Sequence, residues 1–154
     1  MKIILNMKIL FYSLLLTRVT FAGFGQECTG YHQYHCRYTD YTYYYSRQSK
    51  SLQFHKGQET VIQIVAYAGE DYYLAVCGNQ KLGKIRFRIM EDNASKTVLF
   101  DNADNEYSES VIFTNEATRN LIIELSTSGG SARESKYSGC VGLVVEFRKT
   151  TNPE

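Results

Sequence analysis

An all-β protein is what this sequence predicts: an antiparallel two-sheet β-sandwich, jelly-roll-like, with eight or nine strands. Three observations predict it. Almost every segment after Thr39 alternates apolar and polar residues with β-branched or aromatic side chains, turn residues recur about every ten positions, and no stretch carries a convincing helical period. The polar positions Arg86, Arg88, Glu124 and Glu146 fall on the outer faces, as in sheets that are wet on one side.

The elements follow in order. Tyr41 to Tyr45 is an extended candidate, then Ser51 to His55 with Leu52 and Phe54 inward, closed by Gly57. Thr60 to Tyr67 is rich in Val and Ile and ends in the turn Ala68-Gly69-Glu70-Asp71. Tyr72 to Cys77 comes next and stops at Gly78-Asn79. Lys84 to Met90 points Ile85, Phe87 and Ile89 inward. Thr97 to Phe100 is short, and Asp101 to Glu106 is a polar loop. Ser110 to Thr114 follows, then Asn120 to Ser126 with Leu121, Ile123 and Leu125 inward. Thr127 to Ser138 is a Gly/Ser-rich loop. Gly139 to Arg148 is the last strand, with Val141, Leu143, Val145 and Phe147 on one face. After it the chain ends in a polar tail that frays.

The chain of 154 residues divides into a leader (1–25), a Tyr/Cys-rich segment (26–48), the sandwich (49–149) and the tail (150–154). The basic start, Lys2 and Lys8, precedes the apolar run Ile9–Leu16. That run is far shorter than the roughly 20 residues a membrane span requires. Small residues follow to Gly25, in the order of a secretory signal peptide. Cleavage fits after Ala22 or after Gly25. The second leaves Gln26 first and is preferred, since early cleavage would bury Arg18 deep in the leader. Glu27 stands before Cys28 where a lipoprotein needs a small residue, which argues against a lipoprotein. The mature chain has no membrane span, and the expected location is secreted or periplasmic. Cleavage removes three basic residues and no acidic one, taking the net charge from +1 to −2. That balance offers no electrostatic case for nucleic acid.

The even set Cys28, Cys36, Cys77 and Cys140 favours two disulfides in an exported protein. Three connectivities exist. Cys77 and Cys140 both fall opposite the apolar stripes of their strands, so they pair if those strands are neighbours, leaving Cys28 with Cys36 as a local staple. Chain entropy assigns about 4 kcal/mol to the first link and about 2.6 to the second. Deleting the first is then the more damaging change. The same N-terminal run, Cys28-x3-His32-x2-His35-Cys36, also offers four zinc-type ligands, but without the long insert of familiar structural sites.

Gly69-Glu70-Asp71-Tyr72-Tyr73-Leu74-Ala75-Val76-Cys77, Leu82-Gly83-Lys84-Ile85-Arg86-Phe87, Val98-Leu99-Phe100-Asp101-Asn102 and Gly139-Cys140-Val141-Gly142 resemble runs in small exported bacterial β-sandwich proteins of unknown function. From Leu52 to Arg148 the chain also distantly resembles the bacterial pre-peptidase C-terminal domains, secreted jelly-roll modules with a Gly-turn-Asp-Tyr-x-Leu run. Those domains usually trail a protease, which is absent here. The resemblance implies a sandwich and transfers no functional residue.

Two constellations remain. In an extended Tyr41–Tyr45, the rings of Tyr41, Tyr43 and Tyr45 share one face, about 6.6 Å apart, and stack on a sugar or a peptide; the alternative is a flap covering a neighbouring sheet. Asp101, Asp104 and Glu106 sit in an oxygen-rich run and are the candidate calcium ligands, although the run lacks the spacing and glycine of an EF-hand loop. No other cofactor is implied. His32, His35 and His55 adjoin no Gly-x-Ser-x-Gly turn, Ser128-Gly129-Gly130-Ser131 precedes no helix, and Glu91 and Asp92 point apart, so no enzyme signature stands out. Asn93-Ala94-Ser95 is a glycosylation sequon. The expected function is an exported, non-catalytic binding or structural module whose partner is a protein or a glycan. The alternatives are a carbohydrate-binding module using the tyrosine face and a secreted hydrolase or protease inhibitor.

Overall fold

Four antiparallel pairings, nested one inside the next, set the architecture of the computed structural model, which describes residues 28–129 and 137–151. The strands are β1 (Tyr44–Tyr45), β2 (Lys50–His55), β3 (Glu59–Ala66), β4 (Glu70–Gly78), β5 (Ile85–Glu91), β6 (Val98–Asp101), β7 (Ser110–Asn115), β8 (Arg119–Thr127) and β9 (Ser138–Lys149). β2 pairs with β9, β3 with β8, β4 with β7 and β5 with β6. That is one long hairpin rolled up. The result is one sheet in the order β2-β9-β4-β7, with β1 beside the far end of β9, and a second in the order β3-β8-β5-β6. This double Greek key is the jelly roll expected from the alternation. The expected leader lies outside the described residues.

The inward stripes are those read from the sequence. Leu74, Val76, Phe87, Ile89, Leu121, Ile123, Leu125, Val141, Leu143 and Val145 meet between the sheets with Phe54, Ile62 and Ile64, all buried. Each such side chain contributes roughly 1.5–3 kcal/mol on leaving water. Tyr72 reaches the rim of this core. Its hydroxyl accepts from the Tyr67 N–H at 2.9 Å and donates to Glu70 at 2.7 Å, and burial pushes its pKa up to about 12. Glu70 is buried and meets Lys149 at 3.4 Å, so β4 begins inside what the sequence reads as a turn.

Four expectations are corrected. The extended run Tyr41–Tyr45 shrinks to Tyr44–Tyr45, because the Asp40 carboxylate accepts the Thr42 N–H at 2.9 Å and bends the chain into a turn. A helix does form: α1 (Tyr31–His35) has five residues, too few to persist alone, and disulfides on either side hold it. Glu146 faces outward yet is buried, since the Thr39 N–H and hydroxyl donate to it at 2.9 and 2.6 Å. The tail begins as a tethered segment, with Thr150 N–H donating to Gly69 O at 3.0 Å and its hydroxyl to Asp71 at 3.0 Å.

Candidate binding surface

The outer face of the β9/β4 sheet is covered by the N-terminal segment. Cys77 and Cys140 do lie on that face and on adjacent strands, but the register sets Cys77 opposite Gly142, two residues from Cys140. They do not pair with each other. Each bonds upward instead, Cys140 to Cys28 and Cys77 to Cys36. The expected 77–140 and 28–36 pairing is thereby replaced, and no cysteine is free among the described residues. The zinc reading fails with it, because both thiolates are consumed. The other two candidate ligands are engaged elsewhere: His35 stacks on Tyr31, and His32 is a clamp.

That clamp joins three elements. The His32 N–H donates to Ser51 Oγ at 2.9 Å, Nδ1 meets the same oxygen at 2.7 Å, and Nε2 meets the Tyr45 hydroxyl at 2.9 Å. A serine beside a histidine resembles a nucleophile and its base. Here the serine oxygen and both ring nitrogens are consumed in tying α1 to β2 and β1. Burial lowers the His32 pKa, so the fold favours the neutral ring. The unfolded chain then binds the extra proton more readily. The clamp's stability is complete above the ordinary histidine value of about 6.5 and is lost as pH falls through the lowered one. Tyr38, a phenol raised further by burial, does not titrate in that window. Asp71 and Asp101 are held below the usual carboxylate range, chiefly by Thr114 and Arg86 respectively, so their contributions fail only at lower pH. Denaturant melts across that window should show a slope that His32→Asn flattens. Equal slopes in both proteins would remove the clamp's role.

The three candidate tyrosines are separated. Tyr41 is fully exposed at a turn. Tyr43 packs edge-on against Tyr73 with the Arg148 guanidinium 4.6 Å above its ring. Its hydroxyl is buried without a hydrogen-bond partner among the described residues. Tyr45 serves the His32 clamp. The rings therefore form no single row, and two of them act as the flap that covers a sheet.

The other candidate surface is the end of the sandwich where β4 runs into β5. Three neighbouring grooves open there, of about 420, 330 and 950 Å³. Lys84 and Tyr107 line the first two, while Gly78, Gln80 and Glu109 line the first and third, so they form one continuous surface. A short 3₁₀ turn, Asn102–Asn105, builds its rim. The buried Asn102 side chain accepts from Phe87 N–H at 2.9 Å and donates to Ile85 O and Ser108 O at 3.0 and 3.1 Å. Glu106 and Tyr107 follow with φ of 54° and 60°. Two successive non-glycine residues in the left-handed region cost about 1–2 kcal/mol each. The Tyr107 N–H donates to Asn102 O at 2.8 Å, and Lys84 Nζ lies 4.9 Å over its ring. Strain retained in this way concentrates where a surface is presented for use. Sequence reasoning missed this turn, which has no glycine to mark it.

The calcium candidates lie on the same rim and do not converge. The Asp101 carboxylate is paired with Arg86 and accepts the Ala103 N–H at 3.0 Å, while Asp104 and Glu106 face solvent. A guanidinium thus occupies the place a cation would take at Asp101. Among the described residues no three His, Cys, Asp or Glu side chains are grouped to hold a metal ion. Nor, among them, is any helix long and apolar enough to cross a membrane.

No family model matches this chain, and no curated protein matches it. The resemblance to pre-peptidase C-terminal domains finds no support there. A solved structure is similar: the crystal structure of PliG of Aeromonas hydrophila, a periplasmic lysozyme inhibitor of g-type lysozyme, aligns with a TM-score of 0.51 at 14% identity, covering 73% of this chain and 92% of that one. What this chain shares with PliG is the fold, an antiparallel β-sandwich.

Proposed function

We propose that this chain is an exported, non-catalytic protein-binding module that occludes a secreted cell-wall hydrolase of the lysozyme class. The observation that carries the reading is the shared fold over nearly the whole length of a periplasmic inhibitor of g-type lysozyme. Two disulfides add to it, since such bonds persist in oxidising compartments. The loop end, with the braced Glu106–Tyr107 turn, is the contact surface in this reading. Rigid, strained presentation lowers the ordering cost of binding, and an exposed tyrosine is a common interface anchor.

The test is a titration of the oxidised protein into a g-type lysozyme clearing a peptidoglycan suspension, with a lysozyme of another type as control. Activity should fall to a plateau at equimolar protein, and Tyr107→Ala should weaken the inhibition by roughly tenfold or more, as for an interface hot spot. Undiminished clearing by every lysozyme tried, with no complex on gel filtration, would end the proposal.

A further inference from the structure

We infer that residues 28–43 are a redox-released cover: a dithiol opens Cys28–Cys140 first and Cys36–Cys77 second, and the second cut frees the cover from a sandwich that stays folded. The inference is independent of the proposed hydrolase partner. It starts from where the two links run. Each joins a cysteine of the cover to a cysteine on the outer face of the β4/β9 sheet. Neither crosses the core between the sheets, whose buried residues include no cysteine. Cys36 is buried in the small cluster outside that core with Tyr73, Ala75 and Val144, and Cys77 packs against it. The nested pairings of β2 with β9, β3 with β8, β4 with β7 and β5 with β6 involve no residue of 28–43. Without the links, little holds the cover. His32 meets Ser51 and Tyr45, Thr39 meets Glu146, and the Tyr73 hydroxyl donates to Arg37 O at 3.2 Å. Fixing one residue's backbone costs about as much as one net hydrogen bond returns, and the cover makes fewer such bonds to the sheet than it has residues. Its five-residue α1 does not persist alone. Release turns the Glu146 carboxylate to water and bares Tyr73, Ala75 and Val144.

Access sets the order of the two cuts. Cys77 and Cys140 both line the groove of about 950 Å³, so a dithiol seated there reaches both links from one side. Exchange proceeds by attack of a thiolate on one sulfur while the other leaves as a thiolate. At Cys28–Cys140 both halves are partly exposed, so either sulfur leaves toward water. At Cys36–Cys77 only Cys77 is partly exposed, and Cys36 is buried. Attack on Cys77 therefore places the leaving charge on a buried sulfur, which is costly. After the first cut, the second link and the His32 clamp still hold α1 on the sheet. Each cut balances in the same way. The protein disulfide takes two electrons and two protons from the dithiol, through a mixed disulfide that the dithiol's second sulfur resolves. The products are two cysteine thiols and the disulfide of the reductant. Release removes the Tyr31 and His35 wall of the groove and leaves the Glu106–Tyr107 turn in place, since no residue of the cover lines the first groove.

Reduction of the oxidised chain by dithiothreitol in native buffer tests this, read by alkylation with peptide mapping and by amide exchange. Cys28 and Cys140 should be alkylated at least roughly tenfold faster than Cys36 and Cys77, so that a species with one link accumulates. In that species the His32 and Thr39 amides, which donate to Ser51 and Glu146, should keep their protection. In the fully reduced chain they should exchange at least roughly tenfold faster, while the amides of the central strands β4 and β8 stay protected. Equal alkylation rates, or Cys36 and Cys77 reacting first, would overturn the order. Cover amides still protected after full reduction, or β4 and β8 amides that open together with them, would overturn the release.

Discussion

Replacing Cys28 and Cys140 together by serine is expected to destabilise the protein by about as much as replacing Cys36 and Cys77 together. The two links close loops with sequence separations of 112 and 41. Chain entropy assigns them about 4.8 and about 3.9 kcal/mol, a difference of only about 1 kcal/mol because the dependence on loop length is logarithmic. Packing narrows it further. Cys36 is buried in the small outer cluster with Tyr73, Ala75 and Val144, so its loss also opens that cluster. Against a total stability of roughly 5–15 kcal/mol, each double substitution removes a large share. Each should lower the melting point by roughly 10 °C or more. Peptide mapping of the first variant should find Cys36 still bonded to Cys77. A 28–36 peptide, or a variant that loses less than about 1 kcal/mol, would contradict the connectivity.

The reason this connectivity escapes the sequence is physical. Outward orientation of Cys77 and Cys140 is legible, because strand parity is local: Leu74 and Val76 mark the inward face of one strand, and Val141, Leu143, Val145 and Phe147 that of the other. Register between strands some 60 residues apart in the chain is not local, and the offset that sets Cys77 against Gly142 leaves no trace in either strand alone. The same holds for α1, a helix too short for any periodic signal, and for Glu146, whose burial depends on Thr39 over a hundred residues away. The core stripes, the positions of the strands along the chain and most strand ends are legible. The surface that distinguishes this sandwich is less so: the flap over one sheet is one of two readings of the tyrosine run, while the clamp at His32 and the left-handed Glu106–Tyr107 turn arise from long-range contacts or from strain with no composition cue. One cue did exist. Glycine in a strand interior often marks the close approach of another backbone, and β9 has Gly142 between Val141 and Leu143.

Gly142→Ala should therefore be among the most damaging single-methyl changes in the molecule, on the order of 3 kcal/mol where overpacking ordinarily costs 1–3. A Cβ built at Gly142 falls 2.5 Å from Cys36 Sγ, 2.7 Å from His32 Cα and 2.8 Å from His32 Cβ. None of these atoms is the loose end of a side chain. The sulfur is bonded to Cys77, and His32 is held by Ser51 and Tyr45. The methyl group can be accommodated only by lifting α1 from the sheet, which stretches the clamp and opens the cluster beneath it. A double-mutant cycle isolates that cause. With Cys36 and Cys77 both replaced by alanine, the flap can rise, and Gly142→Ala should then cost less than half as much as it does in the wild type. Equal costs in the two backgrounds would mean that the methyl group clashes with something other than the flap. A Gly142→Ala protein within about 0.5 kcal/mol of the wild type, the range of an ordinary surface substitution, would mean that α1 does not press on β9 at all.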